Sequence, residues 1–322
     1  MSRTGWIYGD RFLDHDTGPQ HPERPDRLRA ILRGATLAGT LDRLTPISFE
    51  PADDELIRLG HDPAYVERLR AACRHGARCI DTNDSAICPE SEEIARLAVG
   101  GALAACDAVL ARRVDNAFCA QRPPGHHARS NLSAGFCLYN NVAIAARYAQ
   151  RRHGIGRVMI LDWDVHHGDG TQELFWEDPT VLMVSLHEDP RHCYPGTGFA
   201  DETGAGAGEG FTLNIPMPTG SGDDAYHRAF EERIFPRAAE FRPDLLVVSN
   251  GLDAHADDPL AGVRLSDACY PWMMRQAERI AAAHCGGRFV VLLEGGYNLG
   301  VLERCVPRQL QMMMADAGVE ST

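Results

Sequence analysis

The chain has 322 residues, 44% of them hydrophobic, enough for one α/β core over residues 1–322. Its 32 basic residues are all Arg, against 45 Asp and Glu, and the net charge of −13 argues against free nucleic acid as a partner while favouring cationic substrates. No apolar run approaches the ~20 residues of a membrane span, and ten cysteines without paired spacing, behind no secretory leader, suit reduced thiols in a cytoplasmic protein.

Short apolar runs predict strands over residues 5–8, 117–120, 158–162, 181–186, 211–215, 245–249 and 289–293. Several are unbroken Val, Ile and Leu, as in strands covered on both faces. Between them, helical patterns run over 25–38, 91–112, 141–152, 223–241 and 266–283. Ser91, followed by Glu92, Glu93 and an apolar series, is expected to cap its helix. Met312 to Met314 fit a C-terminal packing helix, and Gly204 to Gly208, lacking a Lys-Ser/Thr ending, fit a turn rather than a phosphate loop. Strand–helix alternation over the whole length predicts a single doubly wound α/β domain, a central parallel sheet flanked by helices.

Ligands of such sheets bind at the carboxyl ends of the strands. Four polar segments follow predicted strands here: Arg122-Pro-Pro-Gly-His126-His127, Asp162-Trp-Asp164-Val-His166-His167-Gly-Asp169, Asn250-Gly-Leu-Asp253-Ala-His255 and Glu294-Gly-Gly-Tyr297-Asn298. Residues two apart on a strand share a face, so Asp162, Asp164 and His166 project together where the strand ends. Carboxylate and imidazole presented together suit a divalent metal such as zinc, and charged groups on a buried strand end are costly unless paired or metal-bound. A hydrolytic metalloenzyme is the leading expectation.

Taken together, these segments resemble the zinc-dependent histone deacetylases of the arginase/deacetylase superfamily, most of all the class II branch and its bacterial amidohydrolase relatives. The likeness runs from about His15 to Asn298 and includes His21-Pro-Glu-Arg-Pro25 and Gly135-Phe-Cys-Leu-Tyr-Asn-Asn141. It implies a catalytic zinc ion held by Asp164, His166 and Asp253. His127 would act as general base and acid, oriented by Asp169, with His126, oriented by Asp162, as electrostatic support. Tyr297 would polarise the substrate carbonyl. Gly135, Phe136 and Tyr194 would form the walls of an acyl-lysine tunnel, with Tyr194 where the family usually has Phe. Ser85 would meet the substrate backbone, in a loop one residue shorter than the family's, and Leu260 would stand at the gate. The resemblance also implies structural potassium, held at one site by Asp162, Ser185 and the carbonyls of Asp164, His166 and Leu186, and at another by carbonyls of Phe175, Asp178, Val181 and Phe211.

The implied reaction is removal of acetyl from lysine side chains of proteins or peptides. An acetylpolyamine amidohydrolase would share the machinery, and Leu260, where a polyamine-selective relative carries an acid, argues against it. A two-metal ureohydrolase is disfavoured because Gly251 and His255 stand where its second Asp pair would be. A silent binding module is disfavoured because Tyr297, both histidines and all three metal ligands are present. His255 is expected either behind the metal ligands or at the rim, His187 as a structural histidine and Cys137 as packing. Two carboxylates and an imidazole would also accept ferrous iron or cobalt.

Overall fold

The computed structural model describes residues 2–315. Eight strands form one all-parallel sheet in the order β2-β1-β5-β10-β9-β6-β7-β8. They are β1 (Thr4–Ile7), β2 (Thr45–Pro46), β5 (Asn116–Cys119), β6 (Val158–Asp162), β7 (Val181–Glu188), β8 (Thr212–Met217), β9 (Leu245–Asn250) and β10 (Phe289–Leu293). β3 (Cys79–Ile80) and β4 (Thr82–Ala86) pair separately and antiparallel. Every residue of β5, β6, β7, β9 and β10 is buried, which is why their sequences are apolar without alternation.

Helices cover both faces. On one side α1 (Asp26–Leu37) packs on α10 (Leu299–Met314), and α10 on α9 (Cys269–His284). On the other, α4 (Ser91–Leu110) lies over β1, β5 and β10 beside α5 (Asn141–His153), which in turn touches α6 (Asp169–Phe175). The shorter α2 (Asp54–Ile57), α3 (Pro63–Arg74), α7 (Asp223–Ala229) and α8 (Phe235–Phe241) complete the layers. The predicted α/β class, the parallel sheet and the flanking helices are all present.

Several local expectations are corrected. The helix expected over 223–241 is split by a π-helical turn, Phe230–Ile234, ahead of Pro236 in α8. A proline has no N–H to continue the i→i−4 ladder, and a wider turn absorbs the mismatch. Ser91 does not cap α4. The cap position is Glu90, and the Ser91 hydroxyl instead accepts from the Cys88 amide at 2.8 Å and pairs with His15 Nδ1 at 2.7 Å. Elements β2, β3, β4, α2, α3 and α6 went unpredicted. All but the 12-residue α3 are short, and α6 is built from the polar metal segment itself, whose functional residues mask any amphipathic period.

Candidate active site

β6 ends at Asp162, in register with Ser249 of β9 and Ser185 of β7. The next residues of that chain bring Asp164 and His166 beside Asp253, which follows β9. Ligand atoms of these three buried side chains lie within 4.8 Å of one another. His166 Nδ1 stands 3.1 Å from Asp164 Oδ1 and 3.2 Å from Asp253 Oδ2. Backbone amides hold both carboxylates: Gly295 donates to Asp164 Oδ2 (2.7 Å), His166 to Asp164 Oδ1 (2.9 Å) and Val165 to Asp253 Oδ1 (2.9 Å). Asp253 Oδ2, fully buried, receives no well-aligned hydrogen bond; its one charged neighbour of opposite sign is the His166 ring at 3.2 Å. Two glycines make this approach feasible. A Cβ at Gly251 would lie 2.3 Å from Asp164 Oδ2, and one at Gly295 would lie 2.0 Å from Asp253 Oδ2.

Two buried carboxylates crowded around one imidazole form a donor set that suits a cation. The electrostatics agree. Burial and then the charge of Asp164 raise the Asp253 pKa. Burial would depress His166, but the two carboxylates overcome it and lift the ring to about 10. The residues present fit a divalent metal.

Beside this cluster, the segment after β5 presents the tandem histidines, ring centroids 4.0 Å apart. His126 Nδ1 pairs with Asp162 Oδ2 at 3.0 Å, and His127 Nδ1 with Asp169 Oδ1 at 2.7 Å. Asp169 also takes a two-pronged ion pair from Arg129, whose Nε and Nη2 lie 3.0 and 2.7 Å from Oδ2. Burial would raise Asp169, yet His127 and Arg129 hold it at about 2. The two histidines diverge. Burial would lower His126, but Asp164 and Asp162 lift it to about 10. Burial and the charge of His126 depress His127 to about 4. At neutral pH the pair is thus one cation and one free base. Glu294 supports the loop, its Oε2 accepting from the amides of Gly125 (2.7 Å) and His126 (3.2 Å), and burial raises its pKa to about 7.

A cavity of about 220 Å³ opens above, lined by Asp84, His127, Gly135, Phe136, His166, Tyr194, Leu260 and Tyr297. Gly135 takes φ +54, and a Cβ there would enter the His127 ring at 2.2 Å. Phe136 also has positive φ, +68, a costly conformation for an aromatic residue that sets its ring 5.7 Å from that of Tyr297. On the opposite side Tyr194 stands edge-on to His127, centroids 5.0 Å apart. Burial, then Asp253 and Asp164, push the Tyr297 phenol well above its usual pKa.

Ser85 is not among the cavity-lining residues. Its side chain is buried against Thr82 Oγ1 (2.9 Å) and Asp84 Oδ1 (3.2 Å), and its neighbour Asp84 lines the cavity instead. In a strand, successive side chains point to opposite faces, so a one-residue difference in loop length exchanges which of them faces the site. His255 is buried and hydrogen-bonds Asp267 at 2.9 Å, away from the cavity lining. His187 is satisfied by Ser185 Oγ and the Gly198 carbonyl, 2.8 Å each. Cys137 is buried.

The residues assigned to potassium fall into two groups. Asp162, the last residue of β6, is the register partner of Ser185 within β7, with Asp164 and His166 following Asp162 and Leu186 following Ser185. Phe175, Asp178, Val181 and Phe211 gather where β7 and β8 begin. There the Phe175 carbonyl accepts from Asp178 N (3.1 Å) and the Phe211 carbonyl from Met183 N (3.0 Å).

Sequence reasoning gave no role to Asp84, Arg27, Arg129 or Glu294. Arg27 is fully buried, binds Glu23 (3.0 Å) and the Gly296 carbonyl (2.7 Å), and lies 5.1 Å from the Tyr297 ring centroid. Glu294 left a usable signal, a lone carboxylate closing an apolar strand. Arg27 left none, because an Arg in an amphipathic helix normally faces water.

Residues 21–313 match the histone deacetylase domain family. A protein described as "Probable deacetylase" from Archaeoglobus fulgidus is 41% identical, covering 92% of this chain and 82% of its own length. The "Histone deacetylase-like amidohydrolase" of Pseudomonas aeruginosa is also 41% identical, covering 94% and 77%. Among solved structures, the HDA15 HD domain superposes with a TM-score of 0.91 at 36% identity, covering 99% of this chain and 90% of that one. Likeness at this level spans the whole sheet and every loop that builds the cluster, and the chain belongs to the histone deacetylase family.

Proposed function

We propose that this chain is a zinc-dependent hydrolase that removes acetyl groups from lysine side chains of proteins or peptides, releasing acetate and the free amine. The observation that carries this reading is the buried cluster of Asp164, His166 and Asp253, with no well-aligned hydrogen bond to Asp253 Oδ2, at a cavity that also holds His127 and Tyr297. Asp164, His166 and Asp253 would hold zinc, which would supply Lewis acidity for the amide carbonyl and the attacking water. The protein's own residues do the rest. Phe136 and Tyr194 flank the apolar lysine stem. His127 is neutral, and Asp169 occupies its Nδ1, so Nε2 is left to take a proton from water and return it to the departing amine. His126, hydrogen-bonded to Asp162, gives electrostatic support. The Tyr297 hydroxyl stays protonated and donates to the oxygen on which negative charge develops. Asp84 takes the backbone-binding place that the sequence assigned to Ser85. Potassium at the two residue groups described above would stiffen the end of β6 and the starts of β7 and β8.

The polyamine reading draws support from Asp84, an acid at the cavity wall placed to meet a distant ammonium, and is opposed by the apolar Leu260 across from it. Steady-state rates on an acetyl-lysine peptide and on N-acetylputrescine decide between them. We expect the peptide to be preferred, and a chelator to abolish turnover until zinc is restored. A large preference for the diamine would overturn the substrate assignment, and full activity after exhaustive chelation would overturn the metal.

A further inference from the structure

Asp258 lies five residues beyond Asp253 and is 7% exposed. Its carboxylate accepts three backbone amides from two separate segments. Oδ1 receives Leu260 N at 3.1 Å, and Oδ2 receives Tyr297 N at 2.7 Å and Asn298 N at 3.0 Å. A buried carboxylate is stable only when its lone pairs are filled, and three amide donors fill them. Its partners matter more than its own comfort. Leu260 and Tyr297 both line the cavity, one at the gate and one at the reacting end.

The Tyr297 segment has few other means of fixing itself. Gly295 and Gly296 precede it, and Gly296 takes φ +115. Without side chains, these residues are held through their backbone groups: Gly295 N donates to Asp164, the Gly295 carbonyl accepts from Leu252 N at 3.0 Å and the Gly296 carbonyl accepts from Arg27. The amide of Tyr297 itself is held by Asp258. The gate loop is anchored a second time by Glu188, which accepts from Gly262 N at 2.7 Å and from Thr219. Of these two buried acids, Asp258 is the one that also holds the tyrosine.

We propose that Asp258 is a positioning residue for the hydrolysis: by clamping Leu260 and Tyr297 onto one carboxylate it sets where the Tyr297 hydroxyl stands over the substrate carbonyl. This rests on Tyr297 being the hydroxyl donor. A displacement of that hydroxyl costs rate without costing affinity, because the oxygen it serves gains its charge in the transition state.

The test is a double-mutant cycle on the zinc-loaded enzyme with an acetyl-lysine peptide. Tyr297→Phe should lower kcat by about 10²-fold, as loss of one oxyanion donor does. Asp258→Asn should lower kcat by about tenfold with KM changed by less than about threefold, a loss of alignment rather than of binding. In the Tyr297→Phe background the same Asp258→Asn change should cost less than about twofold, since no hydroxyl remains to misplace. Asp258→Ala should be worse than Asn, which keeps one acceptor oxygen. The Asn variant also keeps the test open if Ala does not fold. Zinc content and melting temperature, measured on each variant, exclude general damage as the cause. If Asp258→Asn keeps kcat within twofold, or costs the same factor in both backgrounds, the positioning role is wrong while the role of Tyr297 stands. If Tyr297→Phe is itself undiminished, the reading of Tyr297 fails and this inference falls with it.

Discussion

At Asp253 the demands of folding and of chemistry oppose each other. Val165 N satisfies Oδ1, but Oδ2 is buried without a well-aligned hydrogen bond, and burial and the charge of Asp164 outweigh the His166 ring 3.2 Å away. The net effect in the metal-free site is that the charged carboxylate is disfavoured. Asp253→Asn keeps the acceptor for Val165 and removes one of two crowded negative charges. The metal-free variant is therefore expected to melt no lower than the metal-free parent, while its zinc affinity and activity collapse. Melting curves in chelator, with and without added zinc, check both halves. A metal-free variant that melts several degrees lower would mean that the carboxylate is structural. Gly251 and Gly295 belong to the same argument, since any side chain at either would occupy the space the carboxylates need.

Between elements, the closest approach supporting the site is the seam of α1 and α10. Both helices start at the active site: Arg27 sits in the first turn of α1, and Asn298 caps α10 by accepting from Gly300 and Val301. Gly34 lets them meet. A Cβ there would lie 2.0 Å from the Glu303 carbonyl oxygen, a backbone atom unable to yield alone. In an isolated helix, Gly→Ala stabilises by roughly 0.5–1 kcal/mol. Here we expect Gly34→Ala to destabilise by about 1–3 kcal/mol, the cost of overpacking, read from denaturant unfolding of the zinc-loaded protein. A gain in stability would mean that the seam has slack. This contact also marks where the sequence stops being informative. The strands could be read because parallel strands buried on both faces are unbroken apolar runs, as at β6 and β10. The metal and histidine segments could be read because charged residues directly after such runs demand an explanation. Gly34 gives no signal of its role, since a glycine in a helix announces neither its neighbour nor its clearance. Asp84 and Ser85 were exchanged for a related reason: adjacent polar residues on a short strand differ only in facing, and facing is set by register.

Over the whole molecule, buried ionisable groups set how stability responds to acid. His61 accepts from Asn140 N at Nε2 (2.8 Å) and reaches the Arg129 carbonyl through Nδ1 (2.9 Å), an arrangement that suits only the neutral ring. Burial lowers it to about 4, His187 likewise to about 4, and His15 to about 3. Below pH 6.5 the unfolded chain takes up a proton at each of these sites and the folded chain does not. Their contribution is complete above pH 6.5 and declines as pH falls toward 4 and 3, by about 1.4 kcal/mol per pH unit for each histidine. Asp258 and Glu294 oppose this, because burial raises them to about 6 and about 7 and the folded state binds their protons first. The fall from pH 6.5 to 4.5 should therefore be shallow. Below 4.5 it should steepen. Burial would raise Glu23, but Arg122 and Arg27 hold it at about 2, so the stability its ion pairs contribute is whole above about 4.5 and is lost as pH falls from there to about 2. Unfolding free energies of the zinc-loaded protein at pH 7, 5.5 and 4 check the overall sign, and a rise toward pH 4 would contradict it. The difference between the parent and His61→Gln removes the opposing carboxylates from the comparison, since both proteins carry them. That difference should shrink by about 1.4 kcal/mol per pH unit between pH 6.5 and 4, and a pH-independent difference would mean that His61 carries its proton in the folded state.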